Sequence, residues 1–269
     1  VPGRRAAAPN PAGAHFLRDR ALIAQLVRAS GAGAGQLILD LGAGYGAVTA
    51  RLAAAGAKVI AVERDPRLAG RLRRRFDGCP GIRIVEADLR SVPLPRRDFL
   101  VAANPPFSAT TALCRRLLGD QAVPLAGAAL ILQWGAARWL ANPRPRDAET
   151  AWWACRYQIS IVRRVSAASF APQPGTDAAL LAVRRRAGVA SRGGQADQRR
   201  LLRAAYRRRD EPLDRVLKGL GSGALTAGPA ATALLARAGV SPRTTAAMMT
   251  ADNWYAIGRQ PARDHPAAP

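Results

Sequence analysis

Asn104-Pro105-Pro106-Phe107 joins residue types that suit one kind of chemistry. The exocyclic amine of a nucleobase is a weak nucleophile, because its lone pair is delocalised into the ring. Two acceptors, the Asn104 side-chain oxygen and the Pro105 carbonyl, can take its two hydrogens and favour a more tetrahedral nitrogen. The prolines stiffen the backbone, so both acceptors are preorganised. Phe107 offers a face on which a flipped base can stack. Group transfer to that nitrogen would be an in-line displacement in which proximity does most of the work. No general base is required, since the product ammonium is acidic and sheds its proton to water.

A second constellation lies upstream, in Asp40-Leu41-Gly42-Ala43-Gly44-Tyr45-Gly46. Glycines let a backbone turn sharply and pass close to a ligand. A phosphate-binding dinucleotide loop is one reading. The acidic Asp40 ahead of the glycines would repel a pyrophosphate, but it can accept hydrogen bonds from a cationic amino-acid group. Glu63 follows about 23 residues later, the usual place for a carboxylate that binds ribose hydroxyls. Asp88, beside Leu89, could accept from an adenine amino group. An adenosine bearing a cationic amino acid, S-adenosylmethionine, suits Asp40, Gly42, Gly44, Glu63, Asp88 and Leu89 jointly.

These residues need a scaffold that gathers strand ends. Apolar strands are expected at Leu37–Asp40, Val59–Val62, Ile82–Val85, Asp98–Ala102 and Ala128–Gln133. Helices are expected at Val48–Ala55, Pro66–Phe76 and Thr111–Leu118, and a leading helix within Phe16–Val27. That alternation predicts an α/β fold, a Rossmann-like doubly wound parallel sheet. Gln158–Val165 and Ala178–Val183 lack helical spacing between them and are expected to add antiparallel strands at the edge. Residues 1–13 read as a flexible basic arm, 14–186 as the catalytic domain and 187–196 as a Gly/Ser/Arg linker. Residues 197–259 read as a small C-terminal α-helical, RNA-binding domain, with helices at Arg199–Arg207, Leu213–Leu217, Ala230–Ala238 and Met248–Ile257, and a candidate helix start at Ser241-Pro242. Residues 260–269 read as a loose tail.

Composition narrows the partner. Of 269 residues, 49% are hydrophobic, enough for a real core. No apolar run approaches the ~20 residues of a membrane span. Forty-one Lys+Arg face 18 Asp+Glu, a net charge of +23, and only Lys58 and Lys218 are lysines. A polyanion, above all nucleic acid, is the natural partner of such a surface. Arg71–Arg75, Arg115-Arg116, Arg163-Arg164, Arg184–Arg186, Arg199-Arg200 and Arg207–Arg209 are candidates to line an RNA cleft, with Arg73, Arg74, Arg75, Arg115 and Arg116 foremost. Trp152-Trp153 reads as packing rather than base stacking. Cys79, Cys114 and Cys155 have no metal or redox spacing, and His15 and His265 lie at opposite ends, so no metal is expected. The N-terminus lacks a signal peptide pattern, and a reduced cytoplasmic compartment is expected.

On Asp40–Gly46, Glu63, Asp88 and Asn104–Phe107, the chain resembles the adenine-N6 methyltransferases of ribosomal RNA, and within them the Erm enzymes of actinobacteria. His15–Asp19, Asn104–Thr111, Leu132-Gln133-Trp134 with Arg138, and Phe170–Asp177 carry the likeness further. The resemblance implies a class I methyltransferase sheet and cofactor contacts at His15, Leu17, Gly42, Glu63, Asp88 and Asn104. It also implies that Phe107 and Phe170 hold the target adenine, and that a monomer methylates 23S ribosomal RNA, conferring macrolide–lincosamide–streptogramin B resistance. Ala14 stands where the family usually has Gln, a departure that bears on one cofactor contact and does not touch the catalytic motif. The small-subunit ribosomal RNA dimethyltransferases are the nearest alternative, but they usually carry Asn-Leu-Pro-Tyr in place of Asn-Pro-Pro-Phe. A DNA adenine methyltransferase shares the motif logic, yet no target-recognition domain for duplex DNA is apparent. A non-catalytic assembly factor on the same fold would not need an intact Asn104 and glycine loop.

Overall fold

A computed structural model describes residues 15–188, 192–220 and 229–259. The expected arm, Ala14 and the tail from 260 lie outside them. The order is β1 (Phe16–Leu17), α1 (Arg20–Ser30), β2 (Leu37–Leu41), α2 (Ala47–Ala54), β3 (Lys58–Glu63), α3 (Pro66–Arg75), β4 (Ile82–Glu86), β5 (Phe99–Ala103), α4 (Thr110–Cys114), β6 (Leu125–Gln133), α5 (Trp134–Leu140), α6 (Ala148–Arg156), β7 (Tyr157–Val165), β8 (Phe170–Ala171) and β9 (Ala178–Arg185). Then come α7 (Arg192–Arg207), α8 (Leu213–Lys218), α9 (Pro229–Arg237) and α10 (Ala251–Gly258).

Seven strands form one sheet in the order β4-β3-β2-β5-β6-β9-β7. The pairings from β4 through β6 are parallel, and β9 joins β6 antiparallel, with Gly127 opposite Arg184 and Gln133 opposite Ala178. The doubly wound expectation and the late antiparallel strand are both met. The middle strands carry unbroken apolar runs because helices cover both faces. Ile38, Leu39, Leu41, Val101 and Ala102 are essentially inaccessible. The chain runs outward from β2 through β3 to β4, then returns to place β5 on the other side of β2. The order in which strands are added reverses between the parallel neighbours β2 and β5, and there the two following loops diverge and open a crevice beyond the strands' carboxyl ends.

Phe16–Val27 is not one helix. Phe16 and Leu17 pair with Ala171 and Phe170 as a two-stranded ribbon. Asp19 starts α1, its carboxylate accepting from the Ala21 and Leu22 amides at 2.8 and 3.1 Å. Such a cap stabilises a helix by about 1 kcal/mol, and it sets the boundary later than hydrophobic spacing suggests. The segment after Asn104–Phe107 is likewise broken into a tight turn at Phe107–Ala109, α4, and a wider turn at Arg115–Gly119.

The chain divides into two compact units. The first runs to Ala141 and takes in Ile159–Arg184; the second holds Asn142–Gln158 and the chain from Arg185. In the second unit α6 packs with α7 and α10. Trp152 and Trp153 are buried there, as packing residues. Arg186 joins Asp252 at 2.6 Å and lies over the Tyr255 ring. The residue range 14–186 and this first unit therefore differ by one helix, α6, whose apolar face is covered by later helices. The linker is shorter than expected, since α7 begins at Arg192. Ser241-Pro242 opens a turn closed by Thr244 N–H to the Ser241 carbonyl, 2.9 Å, and starts no helix. The last helix begins at Ala251 because Thr250 and Asn253 form a reciprocal cap; Ala246–Met248 is a separate short turn.

Candidate active site

At the reversal between β2 and β5 lies a cavity of about 460 Å³. His15, Gly42, Glu63, Asp88, Leu89 and Asn104 line it, six of the nine expected cofactor residues. Glu63 is the last residue of β3, Gly42, Asp88, Leu89 and Asn104 lie just beyond the carboxyl ends of β2, β4 and β5, and His15 stands just ahead of β1. Gly42 has φ +87°, a conformation open to glycine, and a Cβ there would stand 3.8 Å from the Asn104 carbonyl and Pro105. The glycine loop thus runs directly against the Asn-Pro-Pro-Phe segment.

Glu63 is 9% exposed, and its two oxygens are held apart in role. Oε2 accepts the Gly44 amide at 2.8 Å, and Oε1 accepts the Asp65 amide at 2.9 Å. Each oxygen keeps a further lone pair for a ligand hydroxyl. Gly44 itself is buried and turned away; a Cβ at it would meet the Phe16 ring at 2.9 Å. Its contribution is to fix Glu63 and admit Phe16.

Asp40 does not reach the cavity. Its carboxylate is 1% exposed and accepts from Thr49 Oγ1 at 2.6 Å. Burial, opposed by the Thr49 hydrogen bonds and helped by the Glu63 charge, raises its pKa to about 7. It ties β2 to α2 rather than binding a cationic group directly. Leu17 is also displaced: it packs on the core, and its neighbour Phe16 lines the cavity.

Asp88 faces the cavity with Arg90 upon it. Arg90 Nη2 is 2.6 Å from Asp88 Oδ2, its amide 2.8 Å from Oδ1, and Arg64 stands 4.0 Å away. The Arg90 hydrogen bonds hold the Asp88 pKa down to about 2. Arg64 and Arg90 both line the cavity and were not foreseen, because an arginine among so many arginines carries no signal in sequence.

Asn104 Nδ2 donates to the His15 carbonyl at 2.7 Å, while its Oδ1 is buried without a partner. His15 Nδ1 in turn donates to the Pro172 carbonyl at 2.8 Å. Phe107 is half-buried, 5.3 Å from the His15 ring and 6.2 Å from Phe170, which it meets edge-on at 77°. Phe170 is only 3% exposed, so it backs Phe107 and offers no face of its own. Pro106, Ser108 and Ala109 line the cavity beside Asn104.

The foremost arginines part company. Arg116 donates to the carbonyls of Leu89 (2.6 Å) and Val92, and burial lowers its pKa below the usual arginine value. It is a clamp on the loop that carries Asp88, with its donors committed inside the protein. Arg73 pairs with Glu86 at 2.8 Å, and Arg75 binds the Tyr45 carbonyl. Arg74 and Arg115 are exposed. Among the described residues no cluster suits a metal ion, and no helix is long and apolar enough to cross a membrane.

Similar proteins were found by sequence and by structure. An rRNA adenine N-6-methyltransferase of Bacillus licheniformis is 29% identical over 182 residues, covering 68% of this chain and 63% of that protein. The mycinamicin-resistance protein MyrB of Micromonospora griseorubida is 35% identical over 174 residues, covering 65% of this chain and 55% of that protein. The chain thus spans less than two thirds of the length of these relatives. The ribosomal RNA small subunit methyltransferase A of Anaeromyxobacter dehalogenans is 31% identical over 265 residues, 92% of this chain and 91% of that protein. The crystal structure of the 23S rRNA methyltransferase ErmE superposes with a TM-score of 0.74 at 26% identity, covering 90% of this chain and 97% of that one. The expected class I methyltransferase fold and the Erm likeness are both borne out. The pattern described as "Ribosomal RNA adenine dimethylase" matches residues 10–257, and the chain belongs to that family.

Proposed function

We propose that this protein is an enzyme that transfers a methyl group from S-adenosylmethionine to N6 of one adenine in 23S ribosomal RNA, giving macrolide–lincosamide–streptogramin B resistance. The observation that carries the reading is Asn104: a half-buried side chain whose nitrogen is anchored on His15 and whose oxygen is buried with no partner among the described residues. A buried acceptor left unpaired costs about 1–3 kcal/mol, a cost relieved by a donor entering the cavity. The exocyclic amine of adenine is such a donor.

The remaining residues fit the cofactor. Glu63 retains lone pairs on both oxygens for the ribose hydroxyls, and Asp88 stays ionised to accept from an adenine amino group shared with Arg90. Gly42 leaves room at the junction of the two loops. When bound, S-adenosylmethionine supplies an electrophilic methyl on a sulfonium sulfur. Asn104 Oδ1 and the Pro105 carbonyl take the two amine hydrogens and aim the nitrogen lone pair. Phe107, held by His15 and Phe170, stacks the flipped base. The enzyme is expected to act as a cytoplasmic monomer on RNA not yet covered by ribosomal proteins.

The similarity to small-subunit methyltransferase A runs over more of the chain, so that substrate is the alternative. Methyl transfer from labelled cofactor to deproteinised large-subunit RNA, small-subunit RNA and DNA in parallel decides between them. Label confined to one adenine of the large-subunit RNA is expected. Label on small-subunit RNA alone would move the assignment to the alternative.

A further inference from the structure

Tyr45 stands at the tip of the glycine loop, and half of its surface is exposed, which is unusual for a large aromatic in this protein. Nothing in the cofactor site requires an aromatic there: the loop needs the positive φ of Gly44 and Gly46, and the residue between them points outward. Its ring is nevertheless held in place. Phe16, a cavity residue, meets it at 4.8 Å, and the Arg71 guanidinium lies 5.9 Å from its centroid. Arg75 fixes the Tyr45 carbonyl.

The neighbouring helix α3 explains the setting. Its sequence PRLAGRLRRR places Arg67, Arg71, Arg74 and Arg75 at i, i+4, i+7 and i+8, one face of a helix. All four are exposed. Arg73 faces elsewhere and is neutralised by Glu86, whereas Arg67, Arg71 and Arg74 have no carboxylate partner among the described residues. A row of uncompensated guanidinium groups beside a fixed, exposed ring is the combination that binds single-stranded nucleic acid: cations track phosphates, and the ring stacks a base whatever its identity. Tyrosine is amphipathic and costs little order to hold, because Phe16 and Arg71 have already fixed it.

We infer that Tyr45, with Arg67, Arg71 and Arg74, forms a stacking platform for an unpaired RNA base beside the methyl-transfer cavity. The base is a neighbour of the target, not the target itself, since Asn104 and Phe107 serve the latter. This inference rests on the proposed RNA substrate, but its readout is separable from methylation.

The probe is a twelve-nucleotide oligouridine, which has no exocyclic amine to be methylated. Wild type should bind it, and Tyr45→Ala and Tyr45→Leu should weaken binding about tenfold or more, as expected for losing one base–aromatic stack. Tyr45→Trp should restore it, because the larger ring offers the same stacking face. Arg71→Gln with Arg74→Gln should make the salt dependence shallower by about 0.7 in log–log slope for each phosphate lost. If Tyr45→Leu binds oligouridine as wild type does, the platform is overturned, whatever the methylation result. If wild type methylates ribosomal RNA but does not bind the probe, the platform is likewise overturned and the enzyme assignment stands. Probe binding that follows Tyr45, from a protein that methylates no RNA, would support the platform and sink the proposed function.

Discussion

The Asn104 amide is anchored on the His15 carbonyl at 2.7 Å, and this one bond orients both ends of the side chain. With Nδ2 donating backward, Oδ1 is directed as an acceptor and finds no protein donor. His15 sits in turn on the Pro172 carbonyl, so the acceptor is aligned through two bonds whose partners lie 89 and 157 positions apart in sequence. Asn104→Asp would put oxygen against the His15 carbonyl, two acceptors face to face. It should therefore lose turnover although it preserves shape, and single-turnover methylation rates would read the loss.

Glu63 should dominate cofactor affinity. Glu63→Ala is expected to weaken S-adenosylhomocysteine binding by about 1–3 kcal/mol, the cost of leaving hydroxyls unpaired. Glu63→Gln should lose less, since one oxygen remains to accept an amide. Titration calorimetry reads both, and an unchanged affinity in Glu63→Ala would remove the ribose role.

Asp40 should impose a pH dependence on the fold. Its folded pKa is raised from 3.8 to about 7 by burial, so the folded state holds a proton that the unfolded chain has released. That contribution to stability is fully present below about pH 4, and it is lost as pH rises through 7. The size is a few kcal/mol at most, at about 1.4 kcal/mol per unit. Urea unfolding from pH 5 to 8.5 should show wild-type stability falling relative to Asp40→Asn as pH rises. A constant difference between the two proteins would show that Asp40 does not titrate in this range.

Arg116 should behave as a clamp and not as an RNA contact. Arg116→Ala frees the carbonyls of Leu89 and Val92 and loosens the loop that presents Asp88. Cofactor KM should rise several-fold with RNA affinity unchanged, and Arg116→Lys should recover only part, because one ammonium does not match the two-pronged geometry. A loss of RNA affinity with normal cofactor KM would return Arg116 to the RNA surface.

Much of this site was legible in the sequence because strand ends are marked by local chemistry. Asp40, Glu63, Asp88 and Asn104 each follow an apolar run, and the alternation of strands and helices brings such ends to one edge. What sequence could not supply was direction. Asp40 and Glu63 are both strand-end carboxylates, yet Thr49 draws one inward while the Gly44 and Asp65 amides hold the other at the cavity. Phe16 was missed because two apolar neighbours ahead of a helix look like its first turn; the Asp19 cap carried the needed signal. Arginines were equally opaque. Arg74 and Arg116 read alike in a chain of charge +23, and only burial and carbonyl partners separate the exposed one from the clamp.

Phe107 should need only its π-face. Phe107→Ala is expected to lower methylation clearly, by the equivalent of about 1–3 kcal/mol of stacking, and Phe107→Tyr to retain much of it. Single-turnover rates on 23S RNA test this. Equal loss in Phe107→Tyr and Phe107→Ala would mean that the ring fills a core position and does not stack a base.

The most direct measurement is methyl transfer from labelled S-adenosylmethionine to deproteinised 23S RNA by wild type and Asn104→Ala, with the product nucleoside identified. Wild type should yield N6-methylated adenine at one position, and Asn104→Ala should yield almost none while still binding the RNA. Equal methylation by the two proteins would contradict the role of the unpartnered Asn104 oxygen as acceptor for the reacting amine.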